Sequence, residues 1–416
     1  MINTARVLIG CATKEKNKGN SNLETEYLFK TINQFAGSLK HSKKLACFLE
    51  NPDEKILNVL NELKVTISIT EPLDNRSPPS HKIRIIEEAV KEDIDYIVML
   101  DTDIVACADF SNYVEGPHIK ATYSFGGVPF VEINQWKNLF QFFGLELSEK
   151  DLLSNNEIKK IIPYYNTGVL IIPIQHARLL FETWKNYVYE LCDNENKLPG
   201  NFGQKSFFFD QIGFSLALAD KQLPFKPLPR SMNFEIPIAV NTNGSRSKYF
   251  PILIHHLHRI SDNGDIFHCA FEKANKKIDM INKYLQKTRK TQFDNNNAVR
   301  TSYILEILFR QGDFQQVIRR LSNLTMDNKD ARSQFHLARA LHKTGQKSDE
   351  ALDRYRIAIE NGFPNPFIIH FNRGSLYLKL GNLEEAKKEF ESALNLKPEH
   401  EGTKRKLEKM KKDLGN

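Results

Sequence analysis

Asp101 and Asp103 stand two residues apart at the end of the apolar run Tyr96-Ile-Val-Met-Leu100. Such a run reads as a buried strand, and the carboxyl end of a strand is where open α/β sheets bind ligands. If the chain kinks there, both side chains reach one side of the site, and their hard oxygen atoms can hold a divalent cation between them. A solvated turn carries the same pattern, so the pair taken alone leaves both readings open.

The elements that would position this pair lie around it. Over residues 1–285 short apolar strands alternate with amphipathic segments, the pattern of an α/β domain with a mainly parallel sheet covered by helices. Ala5–Cys11, Lys44–Leu49, Val65–Ile69 and Tyr96–Leu100 read as strands, and Leu23–Leu39, Asp53–Leu63 and about His81–Lys91 as helices. The turn-rich segment from Glu71 to Ser80 precedes the last of these.

The 416 residues are 41% hydrophobic and 26% charged, an ordinary globular composition that excludes disordered, collagen-like and mini-protein classes. The length suits two or three domains. Five widely spaced cysteines, Cys11, Cys47, Cys107, Cys192 and Cys269, form no Cys-x-x-Cys pair and read as reduced thiols. No apolar run approaches the roughly 18–20 residues needed to cross a bilayer. The first residues lack a basic region, a long apolar core and a cleavage site, so a cytoplasmic location is expected. Residues 286–416 hold 25 basic and 17 acidic side chains, whereas residues 1–285 hold 33 and 34. Six of the basic residues lie between Lys404 and Lys412, where a helix spreads them around its surface. They read either as a solvated terminal helix or as a contact for an anionic membrane or acidic partner; a nucleic-acid partner is not expected.

After Leu285 helical patterns come in pairs, with Gly312, Gly345 and Gly381 spaced by 33 and 36 residues. In the segment from Phe371 to Pro398, Gly374, Tyr377, Gly381, Ala386, Phe390, Ala393 and Pro398 match the 34-residue tetratricopeptide spacing. An earlier copy keeps Ala338, Leu341, Gly345, Ala351, Tyr355 and Ala358, and the first keeps Leu305, Leu308, Gly312, Val317 and Leu321. The expected organisation is a catalytic domain over 1–285, a linker over 286–297, and an all-α repeat domain with a capping helix over 298–416.

Leu100-Asp101-Thr-Asp103-Ile-Val105 resembles the Asp-x-Asp segment of GT-A fold nucleotide-sugar glycosyltransferases. Further segments occur in that family's order. Asn166-Thr-Gly168 resembles the Asn-x-Gly strand of the family that contains glycogenin and bacterial lipooligosaccharide galactosyltransferases. Asp210-Gln211 is similar to its Asp-Gln at a helix start, Leu228-Pro-Arg-Ser-Met-Asn233-Phe to its Leu-Pro-x-x-x-Asn-Phe, and Ile254-His255-His256-Leu-His258 to its late metal-binding strand. The resemblance covers residues 1 to about 270. It lapses after His258, where that family has Gly and then Lys-Pro-Trp, so retention of anomeric configuration is not implied.

The resemblance implies that Asp101 and Asp103 bind Mn²⁺ or Mg²⁺ bridging the donor diphosphate, with Thr102 between them and His255 as third protein ligand. His256 and His258 compete for that role, since strand alternation would put them on the face opposite His255; each histidine also has a structural, hydrogen-bonded reading. Cys11, Ala12 and Thr13 would lie under the nucleoside, and Lys82 or Arg84 would pair with phosphate or ribose unless they are solvated helix residues. Asp210 would orient an acceptor hydroxyl or act as base, or else cap its helix. Gln211 would stand near the anomeric carbon, and Asn166 and Asn233 would hydrogen-bond sugar hydroxyls. Trp136, Phe140, Phe142 and Phe143 read as core, with sugar stacking as the alternative.

The resemblance thus implies a hexosyltransferase using a nucleotide sugar, with a UDP-sugar foremost, and a glycan, lipid-linked glycan or protein acceptor. Its repeats would engage a protein partner or the acceptor. A non-catalytic adaptor with a degenerate first domain and a nucleotidylyltransferase are the rivals. The second normally carries a Gly-x-Gly loop with Arg and Lys, which Gly10 to Gly19 does not match.

Overall fold

The computed structural model describes residues 5–13, 21–124, 133–147, 153–155, 158–161, 164–200, 202–236, 250–258, 260, 264–269, 271–290, 305, 309, 312, 314–321, 325–326, 330–345 and 347–413. They form two compact units, the described residues up to 290 making one and those from 305 onward the other.

The first unit is built on a seven-stranded sheet. Its strands are β1 (Val7–Ala12), β2 (Lys43–Phe48), β3 (Val65–Ile69), β4 (Tyr96–Leu100), β6 (Ile119–Tyr123), β9 (Tyr165–Pro173) and β10 (Phe225–Pro227), in the spatial order β10-β6-β9-β4-β1-β2-β3. All neighbours are parallel except β9, which runs antiparallel to both β4 and β6. The mainly parallel sheet read from the sequence is therefore what forms. β1 and β9 are buried along their whole length, which a sheet covered on both faces demands.

Alternation divides the strands between two cores. Leu8, Ile97, Met99, Leu170 and Ile172 point into one, with α3 (Arg84–Ala89), α5 (Ile174–Asp193) and α6 (Phe209–Asp220) supplying Ile86, Trp184 and Phe214. Ile9, Cys11, Val98, Leu100, Val169 and Ile171 point into the other, where α1 (Ser21–Phe35) and α2 (Glu54–Glu62) contribute Phe29 and Ile56. Asp53 caps α2 by accepting from the Ile56 amide at 2.9 Å. The single helix expected over His81–Lys91 is instead a 3₁₀ turn, Pro78–Ile83, leading into the shorter α3. Two prolines at the start fix the tight entry, because neither offers an N–H to an α-helical ladder.

A second, three-stranded sheet crosses the end of the first: β11 (Phe234–Glu235), β12 (Leu253–His255) and β5 (Ile104–Ala106), with β12 central and antiparallel to β5. β7 (Leu153–Asn155) pairs with β8 (Ile158–Ile161) separately. The remaining helices of the unit are α4 (Ile133–Phe142), placed mid-chain, and α7 (Glu272–Thr288) at its close.

The second unit is helical. Helices Ala331–Thr344 and Ser348–Glu360 pack as one pair, and Pro366–Lys379 and Leu383–Leu396 as the next, with Glu401–Asp413 after them. Gly345 and Gly381, at φ +69° and +80°, make the left-handed turn between the partners of each pair. Ala351, Ala358, Ala386 and Ala393 are fully buried, as the repeat pattern requires of its small residues. A Cβ on Gly374 would stand 2.8 Å from Phe390, so the bare backbone lets the aromatic plug close the pair.

His81 is a buried group whose protonation opposes folding. Burial first, then the Arg84 charge, lowers it from 6.5 to about 4. The unfolded chain therefore takes up the proton first: the contribution is intact above pH 6.5 and is lost as pH falls toward 4. Between pH 7 and pH 5 the unit should lose about 2 kcal/mol from this histidine. Urea titrations of the wild type and His81→Gln at both values will show it as a steeper loss in the wild type, and equal slopes would refute it.

Candidate active site

Where β4 ends, the chain kinks as the Asp101–Asp103 reading requires. The Asp101 amide donates to the Gly168 carbonyl at 2.9 Å, extending the β4–β9 ladder by one residue, and the Asp101 carbonyl then accepts from Ile104 at 3.1 Å. β5 departs into the crossing sheet, where Ile104 pairs with His255 and the His256 amide donates to the Asp103 carbonyl at 3.0 Å. Asp101, Asp103 and His255 thereby come together, each buried, with one ligand atom from each within 4.8 Å of the others. His255 Nε2 lies 3.0 Å from Asp103 Oδ2. A Cβ on Gly168 would stand 2.9 Å from Asn166 Oδ1 and 3.2 Å from Asp101 Oδ2, so the bare backbone lets both side chains sit where they do.

Lys82 reaches the same place from the 3₁₀ turn. Its ammonium lies 2.6 Å from Asp101 Oδ1 and 3.4 Å from Asp210 Oδ2, and it contacts the Thr167 carbonyl and hydroxyl at 3.4 and 3.3 Å. The Thr167 hydroxyl donates to Asp210 Oδ2 at 2.7 Å. Asp210 sits in the first turn of α6, where the helix dipole favours a carboxylate, but Phe208 holds the cap position, so the capping alternative does not apply. The Trp184 indole donates to the Asp210 carbonyl at 2.7 Å and anchors that turn.

A third group forms around Asn166. Its amide donates to Glu235 Oε1 at 3.0 Å, while its Oδ1 accepts from the Gly168 amide and from Asn233, at 2.8 and 2.9 Å. Asn233 also contacts the Thr122 hydroxyl at 3.3 Å. A register shift between Ala121 and Thr122 aligns Thr122 with Asn166.

Burial alone would lower His255, but the charge and hydrogen bond of Asp103, with Asp101 and Glu235 beyond, carry it above its ordinary value. His256 makes no side-chain hydrogen bond, and burial pushes it down to about 4 against the pull of Glu24 and Asp103. His258 departs from the alternation expected of it. β12 stops at His255, and Leu257 and His258 take φ of +53° and +59°, which curls the chain and returns His258 Nε2 to 3.4 Å from Asp103 Oδ2. Alternation fails because the strand it presumes has ended.

The other expected residues distribute unevenly. Thr102 is buried between the two aspartates. Cys11, Ala12 and Thr13 are buried at the carboxyl end of β1, and burial, with Cys47 and Asp101 adding to it, pushes the Cys11 thiol well up. Arg84 is turned elsewhere, bonded to the Glu71 carbonyl at 3.1 Å and to Glu87 at 2.6 Å. Trp136 and Phe140 are core residues, Phe143 packs on Tyr187, and Phe142 is exposed. Among the described residues, Asp210 Oδ1, Gln211 Oε1, Asn233 Oδ1 and His255 Nδ1 are buried without a hydrogen-bond partner. Polar atoms of this kind at one site are open to a ligand or to ordered water. Thr167, Glu235 and Glu24 are the site residues that sequence reasoning misses; the first two adjoin motif residues, and Glu24 carries no local signal.

Residues 26–222 match the model of the Rhodobacterales glycosyltransferase domain, and residues 368–400 match a tetratricopeptide repeat. Lys82, Asp101, Asp103, Asn166, Asp210 and Gln211 fall within the first match; Asn233 and His255 lie beyond it. No curated protein matches the chain. Among solved structures, mouse xyloside xylosyltransferase 1 in its apo form aligns at TM-score 0.35 and 15% identity, over 60% of this chain and 96% of that one. The apo form of glycosyltransferase GlyE from Streptococcus pneumoniae TIGR4 aligns at 0.37 and 13%, over 71% of this chain and 66% of that one.

Lys82 is the side-chain cation that holds Asp101 and Asp210 together. Lys82→Met should cost about 3–5 kcal/mol by leaving buried carboxylates uncompensated, and adding Asp210→Asn should recover part of that. Denaturant titration of the single and double variants checks both the loss and the recovery.

Proposed function

Because the chain carries a glycosyltransferase domain at its N-terminus and a tetratricopeptide repeat near its C-terminus, we infer that it is a divalent-cation-dependent hexosyltransferase. Its donor is a nucleotide sugar, with a UDP-sugar foremost, and its acceptor a hydroxyl of a glycan, a lipid-linked glycan or a protein. The observation that supports cation dependence is the buried convergence of Asp101, Asp103 and His255. Two carboxylates and an imidazole suit Mn²⁺, with Mg²⁺ the second choice. A cation held there would act as Lewis acid toward the negative charge that develops on the departing nucleoside diphosphate.

The chain's own groups would do the rest. Lys82 fixes the orientation of Asp101 and Asp210 and brings a positive charge beside the diphosphate site. Asp210 and Gln211 each keep one buried oxygen without a protein partner, and these would accept hydrogen bonds from sugar or acceptor hydroxyls. Asn166 and Asn233, held by each other, would contact the sugar. Cys11, Ala12 and Thr13 would floor the nucleoside pocket, where an uncharged thiol suits a flat base.

Five free cysteines and the lack of any described helix long and apolar enough to cross a membrane are in keeping with a cytoplasmic enzyme. We carry the catalytic domain past the expected 1–285 to take in all of α7 and Lys290, which bonds Glu26 and Glu62, with the linker after it to 297 and the repeats at 298–416 recruiting the acceptor or a protein partner. Their basic excess leaves an anionic membrane surface as a further contact.

Asp101→Asn and Asp103→Asn should each weaken binding of UDP with Mn²⁺ by at least about 10-fold while circular dichroism stays unchanged. Calorimetric titration decides this, and full affinity in both variants would remove the cation site. A chain ending at Lys290, which keeps α7 and the bonds just after it to Tyr27, Glu26 and Glu62, should still hydrolyse the donor in the presence of Mn²⁺ but lose transfer to a native acceptor. Undiminished transfer by a monodisperse truncated protein would remove the recruiting role.

A further inference from the structure

Asp103 is approached by a second imidazole as well as by His255. His258 Nε2 lies 3.4 Å from Asp103 Oδ2, the same oxygen that His255 Nε2 meets at 3.0 Å. The other ring nitrogen of His258, Nδ1, lies 2.8 Å from Glu24 Oε1. Glu24 belongs to the first turn of α1, and its side chain is 4% exposed, whereas that of His258 is 55% exposed. A buried carboxylate reaching out to an accessible imidazole differs from a surface ion pair, in which both partners are solvated and their geometry is loose.

We propose that Glu24 positions His258 as a second imidazole donor to the cation held by Asp101, Asp103 and His255. This rests on the cation-dependent reading above. A histidine that ligates a metal almost always gives its other N–H to a carboxylate, a backbone carbonyl or water, which fixes the tautomer and aims the lone pair. The Glu24–His258–Asp103 contacts have that arrangement, with the Glu24 carboxylate on one ring nitrogen and Asp103, one member of the cation site, on the other. The backbone agrees: Leu257 and His258 are consecutive non-glycine residues in the left-handed region, a conformation that persists only where surrounding contacts hold it. The consequence is a choice of metal. A set with two imidazoles favours Mn²⁺ over Mg²⁺ more strongly than a set with one, because Mg²⁺ keeps oxygen ligands in rigid octahedral geometry.

The test is Mn²⁺ and Mg²⁺ titration by calorimetry on the full chain, joined to pulsed electron paramagnetic resonance of bound Mn²⁺. The wild type should show two imidazole nitrogen couplings, and His258→Ala one. Glu24→Gln should weaken Mn²⁺ binding about 10-fold. Adding Glu24→Gln to His258→Ala should cause no further loss, since Glu24 acts through His258. His258→Gln, which keeps a polar side chain at this accessible position, should likewise narrow the Mn²⁺-over-Mg²⁺ preference. A single nitrogen coupling in the wild type, or wild-type Mn²⁺ affinity in both His258 variants, overturns the proposal and leaves the Asp101–Asp103–His255 site standing. A wild-type chain that binds no Mn²⁺ overturns that site and this proposal together.

Discussion

Three carboxylates, Asp101, Asp103 and Asp210, are almost fully buried at one end of the main sheet. Buried charge is tolerated only where opposite charge and hydrogen bonds replace the lost water, and much of the local structure serves that replacement. Lys82 stands between Asp101 and Asp210, Thr167 donates to Asp210, and His255 meets Asp103. Two prolines aim the turn that delivers Lys82. β9 must run against its neighbours, because only then does its first half, Asn166 to Gly168, lie beside the last residue of β4. The crossing sheet brings β12, and with it His255, to the same point.

Neutral groups surround this charge. Cys11 and Tyr164 are pushed up by burial, and His256 is pushed down by it, so each is uncharged near neutral pH. Walls of this kind keep the dielectric low and make the charges they enclose act more strongly on one another and on any ligand.

The strands of the main sheet are legible in the sequence because each is a short, uniformly apolar run ended by turn residues, and the repeats because their glycines and alanines recur at a fixed interval. Asp101, Asp103 and His255 are legible as a motif, and the structure brings them together. Lys82 stands out for its charge, but its bond to Asp101 depends on a turn whose direction the sequence does not encode locally. Arg84, two residues on, has the same signal and faces Glu87 instead. Strand periodicity misplaces His258 because two left-handed residues end the strand before it. Glu24 is silent: an acidic residue in the first turn of a helix is ordinary, and only the fold shows that it points inward.

The contacts that make the site span long stretches of chain: 85 residues from Lys82 to Thr167, 152 from Asp103 to His255 and 234 from Glu24 to His258. Such separations make assembly slow relative to local helix formation. During synthesis the two aspartates leave the ribosome long before the strand that carries His255, so a growing chain offers a cation two loose carboxylates and no cage. A cation site built from Asp101, Asp103 and His255 would therefore be complete only once the strand that carries His255 is in place. The repeats are translated afterwards, once all three of these residues have already been made.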